Sequence, residues 1–279
     1  SAKAEQGGAR FTGTLADAYR ANLWLRTADR VLIVLCECEA TTFEDLFQAV
    51  SGIAWEKLLP RNAAIPVSGK CVRSRLMSVR DCQAVAKKAI VNRLLERLKV
   101  SSLPETGVPY PIEIALRNDH LRVTLDLSGD ALNRRGYRTW NGEAPLRETL
   151  AAALVMLSPW RPELPLYDPC CGTGTLLVEA AMLATRRAPG LMRDFACDQY
   201  TFMPKDEMRR VRQEAQAAYQ PETAFDIGGS DIDADALALC EKHIRQAGFE
   251  YRIPTEAEDL RRLQLPQPEG VFLCNPPYG

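Results

Sequence analysis

The stretch Pro165-Leu-Tyr-Asp-Pro-Cys-Cys-Gly-Thr-Gly-Thr, residues 165–175, decides the fold class of this chain. A short apolar run ends at Asp168, a glycine loop follows, and a helix is predicted over Leu176–Thr185. Gly172 and Gly174 let the backbone turn tightly and approach a ligand closely at the N-terminus of that helix. A strand, a glycine loop and a helix in this order predict one unit of a parallel sheet with a ligand site at its edge.

The residues around this loop differ from a dinucleotide-binding fingerprint. That fingerprint would want a third glycine near position 177, where the chain has Leu177, and the acidic residue here stands directly before the loop. Asp231 closes a second predicted strand, Phe225–Asp231, and Asp259 follows a third, Ile253–Glu256. A carboxylate at the end of the second strand suits both ribose hydroxyls of a nucleoside, and Asp259 could accept from an adenine amino group. Acids after three successive strands therefore predict a nucleoside site.

A fourth predicted strand, Val271–Cys274, runs into Asn275-Pro-Pro-Tyr-Gly. Pro276 and Pro277 fix the backbone and remove amide donors, which leaves the Asn275 side-chain oxygen and the Pro276 carbonyl as acceptors. Two acceptors that hold the hydrogens of an exocyclic amine favour a pyramidal nitrogen and expose its lone pair to a methyl sulfonium. Tyr278 offers a flat face on which a planar base can stack. These four residues are therefore the predicted catalytic residues.

The order of the predicted helices and strands differs between the two halves of the chain. In the first half, helices are predicted over Leu15–Arg26, Thr42–Val50 and Asp81–Leu98, and strands over Val31–Cys36, Lys70–Ser74, Ile112–Leu116 and Leu121–Leu127. The first of these strands is expected to be buried, and Asn118-Asp119 is expected to form the turn between the last two. After a break at Asn141-Gly-Glu-Ala-Pro, where Pro145 suits the first turn of a helix, strands and helices alternate. We therefore expect an α+β region followed by a parallel sheet with helical crossovers.

Basic residues are clustered although the net charge is only −1. All the clusters lie in the first half: Arg73, Arg75 and Arg80; Lys87, Lys88, Arg93, Arg97 and Lys99; Arg134, Arg135 and Arg138. Any one of them is more simply explained as a solvated face. Together they favour a phosphate-binding surface.

Composition excludes several classes of protein. There is no run of about 18 uncharged apolar residues, which argues against a membrane span, and no basic-then-apolar leader, which argues against secretion. The nine cysteines contain no CxxC pair, and only His120 and His243 could join them as metal ligands. A reduced cytoplasmic protein without a metal site is therefore expected.

Several motifs carry a family resemblance. Three of them resemble the class I S-adenosylmethionine-dependent amino-methyltransferases: Asp168-Pro-Cys-Cys-Gly-Thr-Gly, Ser230-Asp-Ile-Asp and Asn275-Pro-Pro-Tyr-Gly. Three more are similar to the THUMP-domain group: Leu127-Ser-Gly-Asp-Ala-Leu-Asn-Arg-Arg-Gly-Tyr-Arg, Ala144-Pro-Leu-Arg-Glu-Thr-Leu-Ala-Ala-Ala-Leu and Ala188-Pro-Gly. This group includes the bacterial 23S rRNA guanine-N2 methyltransferases, often labelled N6-adenine-specific methylases. The likeness runs from Phe11 to Gly279.

The resemblance implies an α/β chain with two parts. Residues 1–140 would form a ferredoxin-like and THUMP RNA-binding region, incomplete at its N-terminus. Residues 141–279 would form a Rossmann-like methyltransferase domain whose sheet is truncated after its fourth strand. The implied cofactor is S-adenosylmethionine, and Arg147 and Glu148 match the helix that closes over its methionine end. The predicted cofactor residues are Asp168, Pro169, Cys170, Gly172, Gly174, Asp231, Asp259, Arg147 and Glu148, and the predicted RNA contacts are Arg73, Arg75, Lys87 and Lys88.

The favoured function is methylation of a guanine N2 in RNA, with 23S rRNA as the favoured substrate. Adenine-N6 methylation of DNA or RNA and glutamine methylation of a release factor use the same motif as Asn275-Pro-Pro-Tyr, and guanine is preferred over adenine on resemblance alone. A hypothesis from another functional class is that the chain is a non-catalytic RNA-binding module. Binding of S-adenosylmethionine, measured by calorimetry, would separate the enzymes from that module.

Overall fold

The computed structural model describes residues 2–138, 146–264 and 269–276. The helices are α1 (Leu15–Trp24), α2 (Phe43–Ser51), α3 (Val79–Leu98), α4 (Glu148–Leu157), α5 (Thr175–Ala184), α6 (Lys205–Ala218) and α7 (Ala234–Gln246). The strands are β1 (Ala2–Glu5), β2 (Gly8–Phe11), β3 (Leu32–Glu39), β4 (Val67–Val72), β5 (Ile112–Arg117), β6 (His120–Asp126), β7 (Leu166–Asp168), β8 (Ile227–Asp231), β9 (Thr255–Ala257) and β10 (Val271–Phe272). The alternation of elements confirms the predicted α/β class.

The first half contains a four-stranded sheet in the order β3-β6-β5-β4. Only β4 and β5 are parallel, and β5 and β6 form the predicted hairpin. Asn118 and Asp119 both have positive φ, as a type I′ turn requires. The prediction of a buried strand at Val31–Cys36 is wrong, because β3 lies at the sheet edge and Leu32 and Val34 are exposed.

Local capping sets the helix starts in this region. The Thr14 hydroxyl accepts from the Asp17 amide, and the Asp17 carboxylate accepts from the Thr14 amide in return. Thr42 and Asp45 repeat the same arrangement at the start of α2. Each reciprocal pair satisfies backbone donors that have no partner inside the helix, so both starts are determined within four residues of sequence.

The second sheet has the order β10-β7-β8-β9, and all its strands are parallel. Helix α5 follows β7, and α7 follows β8, as crossovers in a parallel sheet. The carboxyl ends of all four strands therefore meet at one edge. Ligands of open α/β sheets bind outside this edge, so the arrangement places Asp168, Asp231 and the segment after β10 at the expected site.

Helix α6 was not predicted from the sequence. It belongs to the second half of the chain but packs against the first half. Its buried residues Met208, Val211 and Ala215 pack in the hydrophobic core of the first half, although they lie between α5 and β8 along the chain. Before it, the Tyr200 ring stacks on Tyr110 with centroids 4.2 Å apart. The first core is therefore built from both halves of the sequence.

The predicted boundary at residue 140 and Pro145 at the first turn of α4 lie outside the described residues. The second core consists of residues from 137 onward, including Tyr137, Leu177 and Phe249. Among the helices that the structure describes, none combines the length and apolar character needed to cross a bilayer.

Candidate active site

A cavity of about 350 Å³ lies at the carboxyl edge of the second sheet. Its polar lining includes Asp168 at the end of β7, Asp233 and Asp235 at the start of α7, and Asn275 after β10. Leu146, Leu176 and Leu239 contribute apolar surface. The cavity therefore combines acceptor side chains with apolar walls, within the size range of small-molecule sites.

The glycine loop forms the floor of the cavity. Gly172 has φ +50°, and a Cβ at this position would meet no atom within 4 Å, so it faces open space. Gly174 has φ +79° and precedes α5; a Cβ there would lie 2.5 Å from the Cys240 sulfur. The Cys171 amide donates to the Ser230 carbonyl over 2.9 Å and ties the loop to β8. The first glycine thus keeps the cavity open, and the second permits close packing against α7.

Asp168 is a buried carboxylate on the cavity wall. Burial raises the pKa of Asp168 to about 7, the Cys170 amide opposes the shift by donating over 3.1 Å, and the negative charge of Asp231 adds to it. A positively charged ligand beside this carboxylate would lower the pKa of Asp168, because the ligand favours the ionised form.

Asp231 organises the loop in this structure. One carboxylate oxygen accepts from the Gly172 amide over 2.7 Å, and the other accepts from the Asp233 amide over 3.0 Å. Asp231 is not among the described residues that line the cavity, whereas Asp233 and Asp235 are. Neither Asp233 nor Asp235 was predicted from the sequence, although Asp233 stands in the same Ser230-Asp-Ile-Asp motif. Its carboxylate also caps α7 by accepting from the amides of Asp235 and Ala236.

Asp259 lies after β9 and outside the described lining of the cavity. Its carboxylate accepts from the Arg261 guanidinium, with Oδ2 2.5 Å from Nη2, and this hydrogen bonding lowers the pKa of Asp259 to about 2. The structure therefore pairs Asp259 with a neighbouring side chain. Its contact with an adenine amino group stays a prediction.

Asn275 reaches the cavity because β10 pairs with β7. The Val271 amide donates to the Pro165 carbonyl over 2.8 Å, and the Leu273 amide donates to the Tyr167 carbonyl over 3.1 Å. This register brings Asn275 to the lining that contains Asp168 and Gly172. Pro276 follows as an exposed residue, and Pro277 and Tyr278 lie outside the described residues.

Arg147 and Glu148 stand at the start of α4 and line a second cavity. The Arg147 guanidinium donates to the Asp29 carboxylate over 3.0 Å. Glu148 is buried, accepts from the side-chain amide of Asn133 over 3.2 Å and pairs with Arg138. Leu146, the residue before them, lines the first cavity. Their role at the methionine end of the cofactor stays a prediction.

The first cavity fits S-adenosylmethionine chemically. That molecule presents hydrogen-bond donors in its ammonium group and ribose hydroxyls, and it carries a positive sulfonium. The lining offers the carboxylates of Asp168, Asp233 and Asp235, and the open space at Gly172 admits a ligand against the backbone. Within residues 2–138, 146–264 and 269–276, no group of three or more His, Cys, Asp or Glu side chains could hold a metal ion.

The predicted RNA contacts have different surroundings. Arg73 and Arg75 are exposed in the loop after β4, and Lys88 is exposed on α3. Lys87 is held in place, because its ammonium donates to the Ile65 carbonyl over 2.8 Å and to the Glu105 carboxylate over 2.6 Å. Three of the four side chains are thus accessible to a ligand, and Lys87 has a structural partner.

Comparison with known families identifies three regions. The family described as "RMKL-like, methyltransferase domain" matches residues 135–279. The "RlmL ferredoxin-like domain" matches residues 1–32, and the THUMP domain matches residues 40–126. These regions follow the order implied by the sequence motifs.

Relatives and solved structures resemble nearly the whole chain. The Bacillus subtilis protein "Putative RNA methyltransferase YpsC" is 40% identical over 99% of this chain and 72% of its own length. A Listeria monocytogenes protein, described as a "predicted N6-adenine-specific DNA methylase", has 43% identity and a TM-score of 0.97 over all of this chain and 74% of its own. SMU.472, "a putative methyltransferase complexed with SAH", has 39% identity and a TM-score of 0.94, with the same coverage.

The residues of the methyltransferase match include the glycine loop and Asn275. The methyltransferase match alone covers just over half of the chain, and the relatives extend the likeness across the ferredoxin-like and THUMP regions. The chain belongs to the RMKL-like methyltransferase family, in which a ferredoxin-like region and a THUMP domain precede the methyltransferase domain.

Proposed function

We propose that this methyltransferase transfers a methyl group from S-adenosylmethionine to the exocyclic N2 of a guanine in RNA, with 23S rRNA as its substrate. One observation carries the proposal: Asn275 lines the same cavity as the buried carboxylate of Asp168 and the open glycine Gly172. An acceptor for the target amine and the site for the methyl donor thus share one space.

The residues of the cavity can align the reaction. When bound, S-adenosylmethionine would supply the electrophilic methyl group of its sulfonium: the new nitrogen–methyl bond forms as the sulfur–methyl bond breaks, and the amine releases one proton. The Asn275 side-chain oxygen can accept a hydrogen of the target amine, and the Pro276 carbonyl can accept the other. These contacts grow stronger as the nitrogen becomes tetrahedral and positive, so they favour the transition state over the bound substrate. The apolar side chains of Leu146 and Leu176 form part of the cavity wall and would limit the access of water to the reacting groups.

We assign the cofactor to the carboxyl edge of β7 and β8. Asp168 would accept from the ammonium group, and Pro169, Cys170, Gly172 and Gly174 would shape the loop beneath it. Asp231 would serve the ribose hydroxyls by exchanging its bonds to the loop amides. Arg147 and Glu148 would contact the methionine end and Asp259 the adenine.

RNA as the substrate is supported by the THUMP match and by the name of the Bacillus subtilis relative. We infer that Arg73, Arg75 and Lys88 contact phosphates, because all three are exposed, and that Lys87 contributes at the margin of this surface. The free thiols of the chain fit a cytoplasmic location.

Adenine-N6 methylation is the second candidate function. It is favoured by one finding, the similarity to the Listeria monocytogenes structure, which is described as an N6-adenine-specific DNA methylase. The acceptors Asn275 and Pro276 would serve either amine equally well.

The test is single-turnover transfer of labelled methyl from S-adenosylmethionine to RNA and DNA, followed by nucleoside mass spectrometry. The wild-type protein should yield N2-methylguanosine. Asn275→Ala should slow the chemical step by about 10²-fold or more while cofactor and RNA affinities hold, because it removes one preorganised contact to the transition state.

Phe272→Leu is the control, since Phe272 lies on β10, three residues before Asn275, with its side chain half exposed and outside the described cavity lining. It should transfer methyl at nearly the wild-type rate. If the product is N6-methyladenosine, the target base is adenine and not guanine. Wild-type single-turnover rates for Asn275→Ala would show that the motif is structural.

A further inference from the structure

A second cavity, of about 740 Å³, lies between the two halves of the chain. Its lining comes from the segment after β6, from the start of α4 and from the loop before α6. Five arginines contribute to it: Arg134, Arg135, Arg138, Arg147 and Arg193. Three of them, Arg134, Arg135 and Arg138, form one of the basic clusters in the sequence, whereas Arg193 comes from a distant part of the chain.

Three of these arginines form a fixed wall. Arg193 donates to the carbonyls of Ala131 and Asp130, each over 2.7 Å, and its other hydrogen bonds also go to backbone carbonyls. Arg135 donates to the Leu132 carbonyl over 2.8 Å and pairs with the buried Glu179. Arg138 is nine-tenths buried. The carbonyls that hold Arg193 carry no formal charge, and the five arginines outnumber the three carboxylates of the lining, those of Asp130, Glu148 and Asp194, so the cavity keeps an excess of positive charge for an anion.

A further arginine, Arg134, is free to change partner. Arg134 is 71% exposed, and its only ion pair among the described residues is with Asp130, which is 70% exposed. Exposed pairs of this kind stabilise a protein only weakly, so an incoming anion can replace the carboxylate. Arginine is also the side chain best suited to hold a phosphate through two hydrogen bonds.

The arginine cavity adjoins the cavity that contains Asn275. Arg138 lines the former and donates to the hydroxyl of Thr175, which lines the latter. Leu146 and Arg147, adjacent in sequence, lie one in each lining. A strand of RNA whose base enters the first cavity would therefore carry its neighbouring phosphate past the second.

We propose that the cavity lined by Arg134, Arg138 and Arg193 binds a backbone phosphate of the RNA next to the target nucleotide. This inference rests on the proposed function, since it takes RNA as the substrate. It adds a phosphate site between the two halves to the surface of Arg73, Arg75 and Lys88.

The test compares two charge reversals in the full-length protein. Arg134→Glu alters the cavity, and Arg209→Glu is its matched control on α6. Arg209 is 68% exposed and pairs with Asp206 at i,i+3, much as Arg134 pairs with Asp130 at i,i+4. Affinity is measured by fluorescence anisotropy across a salt series, with a fluorescein-labelled single-stranded RNA that contains one guanosine among uridines. S-adenosylmethionine affinity and thermal unfolding are measured for both variants.

Arg134→Glu should bind this RNA about tenfold more weakly, with a salt slope smaller by about 0.7, because one charge-assisted phosphate contact is lost. Arg209→Glu should bind like the wild type, and both variants should keep cofactor affinity. Equal losses in the two variants, or no loss in Arg134→Glu, would overturn the phosphate site. A loss of cofactor affinity in Arg134→Glu would overturn it as well.

The two proposals fail in different ways. If the wild type yields N2-methylguanosine but Arg134→Glu binds RNA normally, the phosphate site is wrong and the proposed function stands. If the wild type methylates no RNA while only Arg134→Glu loses RNA affinity, the proposed function is wrong and the phosphate site stands.

Discussion

The carboxyl group of Asp168 is withdrawn from water at the wall of the first cavity. Burial is the largest cause of its raised pKa, and the nearby charge of Asp231 acts in the same direction. A positive group of the cofactor beside Asp168 would favour the ionised form. Cofactor binding should therefore release a proton at a pH below about 7.

We expect the dissociation constant of S-adenosylmethionine to be about tenfold weaker near pH 6 than near pH 8, as a single site with a pKa of about 7 requires. Calorimetry in two buffers of different ionisation enthalpy would detect the released proton. Asp168→Asn should bind more weakly and show a flat profile across this range. A pH-independent constant for the wild type would remove Asp168 from the ammonium site.

The same shift has a consequence for stability without ligand. The folded protein holds the Asp168 proton more tightly than the unfolded chain, whose carboxyl titrates near its ordinary value of 3.8. This group therefore stabilises the fold at low pH, and its contribution falls as the pH rises from about 4 to about 7. The cofactor would counteract that loss by favouring the ionised carboxylate in the folded state.

At the scale of the element, the loop between β7 and α5 uses its two glycines differently. Both have positive φ, so alanine at either position costs about 1–2 kcal/mol of backbone strain. Gly174→Ala would also place a Cβ against the Cys240 sulfur on α7 and add an overpacking cost of about 1–3 kcal/mol. Gly172→Ala would add a methyl group to open space at the cavity.

We therefore expect Gly174→Ala to lower the free energy of unfolding more than Gly172→Ala does, as measured by urea titration. Gly172→Ala should lose cofactor affinity out of proportion to its stability, because its methyl group occupies ligand space. Each variant is the control for the other. The reverse order of stabilities would contradict the packing of the loop against α7.

At the scale of the whole molecule, a buried ion pair joins the two halves. Arg135 follows the first sheet, and Glu179 lies on α5 in the second core; Nε and Oε1 are 3.2 Å apart, and both side chains are fully buried. Burial raises the pKa of Glu179, while Arg135 opposes the shift. Glu179 also interacts with the buried Arg26, so loss of Glu179 would leave two positive charges in the interior without their carboxylate.

Glu179→Leu should destabilise the folded protein by about 3–5 kcal/mol, because it strands the charge of Arg135. Arg135→Met with Glu179→Leu should cost less than the sum of the two single variants, as measured by urea unfolding. Asp206→Ala breaks the exposed pair with Arg209 and should change stability far less. Additive losses for Arg135 and Glu179 would show that the pair does not act as a unit.

The sequence by itself determined the elements whose signals are local. Apolar runs, glycines and prolines predicted β7, the glycine loop and the Asn275 motif, because each depends on a few neighbouring residues. The hairpin at Asn118-Asp119 followed for the same reason. Parallel strands present their carboxyl ends at one edge, so Asp168 and Asn275 could be expected together although more than a hundred residues separate them.

Only the tertiary structure decided which side chains face which cavity. The pattern of acids pointed to Asp231 and Asp259, but Asp233 and Asp235 line the first cavity, while Asp231 bonds to the loop and Asp259 to Arg261. Basic clusters likewise gave no sign that Arg193 would join Arg134 between the two halves. Ion pairs and side-chain directions depend on residues far apart in the chain. A short stretch of sequence does not show where those distant residues lie in the fold.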